Sequence, residues 1–189
     1  MSTVEIVTER LVVRTFRVDD LEAFVAYRSD PEVARYQSWD SPYSMADAES
    51  LLHSLSGLVF GQPGEGLQLA IADQASGTIC GDCFVRVLTD QPETAEIGVT
   101  LARASQGRGL ATEALTALLT ELFARRGLHR VFAEADDRNS PVRRLLESLG
   151  FRCEARHVEA DWFKGEWSTL CLYAMLNPEW HEHRNAAQK

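Results

Sequence analysis

Between Gln106 and Ala111 the chain reads Gln-Gly-Arg-Gly-Leu-Ala, a glycine turn running straight into an amphipathic stretch, and such a junction can bind an anion. The first turn of a helix leaves backbone N–H groups without intrahelical partners, and the aligned peptide dipoles add roughly half a positive charge there. Glycine at 107 and 109 lets a phosphate approach the backbone closely. A nucleoside triphosphate loop of the Gly-Lys-Ser/Thr kind is excluded, because Leu110 and Ala111 follow Gly109. The dinucleotide fingerprint fits poorly: its third small position falls on Thr112, and no acidic strand end is suitably placed for a ribose. Upstream, residues 94–101 alternate as a strand that puts Glu96, Gly98 and Thr100 on one face and Ala95, Ile97, Val99 and Leu101 on the other. Glu96, a carboxylate among small residues, is the leading candidate for a general base, or else a surface glutamate; Asp82, on a neighbouring strand pattern, is the second candidate.

The elements that must position these groups follow from periodicity. A strand is expected over Leu11 to Phe16, then a helix capped by Asp19 with Leu21, Phe24, Val25 and Tyr27 on its apolar face, and a short helical piece after Pro31. Ser44 and Asp47 form a capping box before Ala48, Leu51, Leu52 and Leu55. After the glycine-rich stretch 57–66, residues 67–72 and 78–88 read as a hairpin around Gly77, followed by the strand 94–101. Residues 109–126 form the central helix, stopped by Gly127. A strand over 130–135, a helix capped by Asn139 or Ser140 with Pro141 in its first turn, and strands over 152–158 and 168–176 complete the pattern. The expectation is one α/β domain with a mixed sheet over residues 1–178, and a mobile tail over 179–189.

Composition narrows the function. A chain of 189 residues that is 45% hydrophobic can bury one full core. No apolar run approaches a membrane span, so a soluble cytoplasmic protein is expected. A formal charge of −9 argues against nucleic acid and permits a cationic substrate. Cys80, Cys83, Cys153 and Cys171 lie in strand-like apolar segments and read as reduced packing residues; Cys80 and Cys83 lack the further ligands that zinc needs. His129, His157, His181 and His183 have no metal-ligand partners at convincing spacing, so no metal is expected.

Gln106, Gly109 and Ala111 also fill the pattern Gln/Arg-x-x-Gly-x-Gly/Ala. Together with Thr8-Glu9-Arg10-Leu11, Ile79-Cys80-Gly81-Asp82, Ala95-Glu96-Ile97-Gly98, Leu149-Gly150-Phe151 and Tyr173-Ala174, it resembles the GNAT N-acetyltransferase superfamily, in its RimJ/RimL-like branch. The resemblance implies a central, mostly antiparallel sheet with helices on both faces, splayed between its fourth and fifth strands, taken as residues 94–101 and 130–135. It implies acetyl-CoA as co-substrate and acetyl transfer to a primary amine, either a protein N-terminus or a small cationic amine such as an aminoglycoside, by direct attack in a ternary complex. The pyrophosphate would rest on Gln106, Gly107, Arg108, Gly109, Leu110 and Ala111, with Arg108 adding charge or simply solvated; Val99 and Leu101 would pair with the pantetheine amides, and Asn139 would meet the same arm. A backbone N–H near Val99 would face the thioester oxygen. Many relatives place Ser or Tyr near the CoA sulfur where this chain has Val142 and Leu146, so no acid is assigned to the leaving thiolate. That departure also motivates a different reading, a non-catalytic acyl-CoA-binding module. Tyr36, Trp39 and Trp162 lie in segments that mix aromatics with acids and suit a cationic amine, or are loop packing. Glu134, Asp136 and Asp137 are turn formers or substrate ligands, and an edge strand near the C-terminus leaves monomer and homodimer open.

Overall fold

A computed structural model describes residues 4–187. Eight strands form one sheet in the order β1-β2-β3-β4-β5-β6-β8-β7. They are β1 (Glu5–Val7), β2 (Leu11–Thr15), β3 (Gly66–Asp73), β4 (Ile79–Val87), β5 (Thr94–Leu101), β6 (Arg130–Asp136), β7 (Arg152–Phe163) and β8 (Glu166–Leu176). The helices are α1 (Leu21–Arg28), α2 (Pro31–Ala34), α3 (Met45–Ser54), α4 (Leu110–Leu119), α5 (Ser140–Ser148) and α6 (Asn177–Ala187). β5 and β6 are parallel, while every other neighbouring pair is antiparallel. A parallel pair needs a crossover, and the glycine turn with α4 supplies it.

Alternation along the strands divides the core in two. Leu69, Ile71, Cys83, Val85, Ala95 and Ile97 join Leu115, Leu118 and Leu119 of α4 in the larger cluster. Ala70 and Ala72 point the other way, where their small side chains leave room for Phe24 and Tyr27 of α1 and for Ala48 of α3. The capping box is present: Asp47 N donates to Ser44 Oγ at 3.1 Å and Ser44 N to Asp47 Oδ2 at 3.2 Å. No helix among the described residues is long and apolar enough to cross a membrane.

The structure departs from the sequence reading in four places. β1, a strand of 3 residues, precedes the first expected strand, so the segments taken as fourth and fifth are β5 and β6. The central helix holds its α form only to Leu119 and continues through Thr120–Arg125 as a wider turn, in which Arg126 N donates to Glu121 O at 3.1 Å. β7 and β8 run on to a tight turn at Lys164-Gly165, so the aromatic stretch Asp161–Trp167 forms the hairpin tip. Most of the expected tail is α6, which is anchored because Trp180, 5% exposed, packs on Phe123 at 5.8 Å between ring centroids. Asn177 Nδ2 adds bonds to Phe123 O at 3.2 Å and Leu128 O at 2.8 Å; residues 188–189 of that tail lie outside the described residues.

Candidate active site

β5 and β6 pair only at Thr94–Arg130, Ala95–Val131 and Glu96–Phe132. Beyond Glu96 each strand follows its other neighbour: β5 stays with β4 as far as Leu101 opposite Gly81, and β6 stays with β8 as far as Asp136 opposite Leu170. The sheet therefore splits. The split opens into a cavity of about 780 Å³ whose walls include Val99, Leu101, the glycine loop, Asn139 and Val142. A smaller cavity of about 100 Å³ adjoins it, reaching Gly98, Glu134 and Leu146, and both are bordered by Tyr36, Gln37, Val99 and Val142.

The rim of the split carries unpaired backbone donors. Ala102 N donates to Cys80 O at 2.9 Å and Leu88 N to Thr94 O at 2.9 Å, so the even-numbered residues of β5 turn their peptide groups toward β4. By alternation the peptide groups of Val99 and Leu101 turn into the split. Leu101 O accepts from Gln106 Nε2 at 3.1 Å, which leaves the Leu101 and Val99 N–H groups facing the cavity and gives Gln106 the work of tying loop to strand.

At the loop, Gly107 and Gly109 hold φ of 71° and 76°, a left-handed conformation that only glycine adopts cheaply. The first helical hydrogen bond of α4 runs from Glu113 N to Gly109 O at 3.1 Å, so among the described residues the N–H groups of Leu110, Ala111 and Thr112 meet no backbone acceptor. Thr8 and Arg10 brace the loop from below: Thr8 Oγ1 donates to Glu113 at 2.6 Å, Arg10 Nε to Glu113 Oε2 at 2.6 Å and Arg10 Nη1 to Arg108 O at 3.0 Å. This bracing is the physical content of the Thr8-Glu9-Arg10-Leu11 signature. Arg108 itself is exposed and outside the cavity lining. The cations on the cavity wall include Arg35, Arg103, Arg138 and Arg144, which sequence reasoning missed; Arg144, one turn into α5, has no acidic partner within 4 Å among the described residues. Free N–H groups, two open glycines and these arginines fit a diphosphate. A Gly109→Val variant should bind CoA about tenfold more weakly by titration calorimetry, since a β-branched residue is disfavoured at this φ by about 1–2 kcal/mol.

Carboxylates meet on the face of the sheet opposite α4. Glu96 ion-pairs with Arg86, its register partner on β4, and neither lines a cavity. Glu134, on β6, does line the smaller cavity. Much of its side chain is open to solvent, yet partial burial and then the charge of Glu96 hold its carboxyl above the ordinary glutamate value, with Asp161 adding to the effect and His157 and Arg86 opposing it. Asp82 is 0% exposed and lies outside both linings. It accepts from Tyr27 Oη, Gln68 Nε2 and, at 3.3 Å, Arg28 Nη2, beneath α1. Asp136 and Asp137 are held by arginines: Arg138 keeps the first carboxyl low, and Arg156 with Arg143 keeps the second down at about 2.

The acceptor-side aromatics separate cleanly. Tyr36 borders both cavities. Trp39 instead stacks on the Arg28 guanidinium, 3.7 Å from its ring centroid, and donates from Nε1 to Arg28 O at 3.2 Å. Trp162 is 61% exposed at the hairpin tip and packs edge-on against Trp167. Asn139 borders the large cavity and caps α5 at once, accepting from Val142 N at 3.5 Å. Val142 and Leu146 do line the smaller cavity, which makes its inner wall apolar.

A split sheet that presents strand N–H groups beside a helix N-terminus, with a carboxylate across the gap, suits a transferase whose donor carries both amides and a diphosphate. The chain matches the family model of the acetyltransferase (GNAT) domain over residues 10–152 and belongs to that family. It is an acetyl-CoA-dependent N-acetyltransferase, with acetyl-CoA as co-substrate. It is 27% identical over 173 residues to the uncharacterized N-acetyltransferase p20 of Bacillus licheniformis, covering 92% of this chain and 96% of that one. It is 26% identical over 185 residues to the [ribosomal protein uS5]-alanine N-acetyltransferase of Escherichia coli (strain K12), covering 94% and 93%, in keeping with the RimJ/RimL-like signatures. The crystal structure of a GNAT-family acetyltransferase from Bacillus anthracis superposes with a TM-score of 0.83 and 25% identity, covering 93% of this chain and 99% of that one.

Proposed function

We propose that the protein transfers the acetyl group of acetyl-CoA to a primary amine that reaches the cleft as a cation, by direct attack in a ternary complex, with Glu134 taking the proton. The observation that carries this reading is the position of Glu134: it borders the same small cavity as Val99 and Val142, where β5 leaves β6. Glu96 contributes charge rather than proton transfer, because Arg86 already engages its carboxylate. Glu134, Glu96 and Asp161 together make this face acidic and favour an ammonium group over an uncharged nucleophile.

In the step itself, the ammonium first gives one proton to Glu134, which passes it to solvent; the lone pair so freed forms the C–N bond as the C–S bond breaks, and the sulfur departs with the bonding pair as a thiolate. The second proton, lost from nitrogen as the amide forms, leaves through the same carboxylate to solvent, while the thiolate takes one from solvent. The Val99 N–H, turned into the split, is the donor placed for the developing oxyanion. A thiol pKa near about 8.5 makes the thiolate a tolerable leaving group beside Val142 and Leu146, without a protein acid. The test is CoA release by thiol titration, with acetyl-CoA and a panel of N-terminal peptides, polyamines and aminoglycosides. Release with a cationic amine is expected. Acetyl-CoA binding with no release for any acceptor would sink the reading and restore the binding-module alternative.

A further inference from the structure

Lys164 stands at the tip of the β7–β8 hairpin, where Phe163 pairs with Glu166 across the turn Lys164-Gly165. Both turn residues hold positive φ, 49° and 86°. A turn of this kind selects Asn, Asp or Gly at its first position, and lysine is sterically disfavoured there. A strained residue of this sort persists only where its surroundings hold it. Here the hold is direct: Lys164 Nζ donates to Ala34 O at 2.8 Å and to Trp39 O at 2.6 Å, with Asp40 Oδ1 at 3.7 Å.

Ala34 ends α2 and Trp39 follows shortly after, so one ammonium closes both ends of the segment 35–38. That segment carries Tyr36 and Gln37, both of which border the two cavities. On the opposite bank Glu166 accepts from Arg138 Nη1 at 2.5 Å, and Arg138 lies beside Asn139 on the wall of the large cavity. The hairpin tip therefore bridges the cleft, fastened at each side by a charge-assisted hydrogen bond. We propose that Lys164 is a positioning residue: by holding the carbonyls of Ala34 and Trp39 it sets where Tyr36 and Gln37 stand, and so sets the fit of the amine. The inference rests on the reading of this cleft as the amine site.

The experiment pairs Lys164→Met with Lys164→Arg in steady-state kinetics, using acetyl-CoA and the amine selected by the CoA-release panel, together with hydrogen exchange of the 35–39 amides. K164M should raise the acceptor KM about tenfold while leaving the KM for acetyl-CoA and the melting temperature near wild type, and K164R should recover most of the loss. Adding Tyr36→Ala to K164M should cost less than the single effects combined, because both act on one wall. Exchange at 35–39 should quicken about tenfold in K164M while α4 is unchanged, a readout that needs no turnover. An unchanged acceptor KM, an equal rise in the acetyl-CoA KM, or unchanged exchange at 35–39 would overturn the proposal. A wild type that acetylates none of the amines would instead defeat the function reading, and the exchange measurement would still decide the role of Lys164.

Discussion

Replacing Glu134 by Gln should lower kcat/KM for the acceptor about 100-fold, while the KM for acetyl-CoA stays near wild type, because a positioned general base contributes about that much or more. Glu96→Gln should remain within about fivefold of wild type, since its carboxylate is committed to Arg86 and its effect on the site is through charge. The pH profile separates a base from a mere wall residue. Only the carboxylate accepts a proton, so wild-type activity should be lost as pH falls through the value of Glu134, which burial and Glu96 hold above the ordinary glutamate range. In E134Q that limb should vanish, leaving the ionisation of the acceptor amine. Stability carries a second signature. The folded state holds this proton more tightly than the unfolded chain, so stability falls as pH rises through the folded value. E134Q should then melt slightly above wild type at neutral pH and match it in acid, a gain in stability beside a loss of rate. An E96Q protein that loses the rate while E134Q keeps it would reverse the two assignments.

The glycine loop and the strand that wall the large cavity were legible in sequence because their signals are backbone signals. Glycines that need positive φ and a helix start are local signals that point to Gly107 and Gly109, and strand alternation puts Val99 and Leu101 on one face; that these two would pair with a pantetheine arm came from the family resemblance. Arg108, open in sequence between a phosphate contact and a solvated side chain, is exposed outside the cavity lining, because composition cannot say to which side of the loop an arginine turns; Arg10 holds its carbonyl. The acceptor side depends on contacts between distant segments. Glu134 gains its role only from the parallel register of β6 on β5, and its sequence context reads equally well as the approach to a turn. Trp39 shows the limit most plainly: an aromatic beside acids suits a ligand's cation, but the cation it receives is the protein's own Arg28. The last helix escaped notice because its anchor, the buried Trp180, sits in a largely polar stretch.

Asp82→Ala should destabilise the fold by about 3–5 kcal/mol, the usual consequence of leaving one member of a buried ion pair alone. Asp82 is fully enclosed, and Arg28 beside it is caged by Phe24 at 4.2 Å, Trp39 at 3.7 Å and Tyr43 at 5.2 Å from the ring centroids. Burial pushes the Asp82 carboxyl up against the pull of Arg28, Tyr27 and Gln68, so the pair sits near the edge of what the interior tolerates. Among the described residues Arg28 Nε has no hydrogen-bond partner, and removing Asp82 takes away the carboxylate that faces the guanidinium. For a domain of this size the loss corresponds to a drop of about 10 °C in melting temperature. Because the cage is aromatic, a second change of Arg28 to Met should recover much of that loss, as buried ion pairs replaced by apolar groups often do. A milder variant decides whether Asp82 has any chemical part. Asp82→Asn keeps the shape and an acceptor for Tyr27, and below its melting temperature it should turn over within about fivefold of wild type. A folded D82N protein with wild-type melting and a 100-fold lower kcat would put Asp82 back in the chemistry; the expected pattern instead makes Asp82 and Arg28 the support that holds Trp39, and with it the segment Lys164 grips, against the sheet.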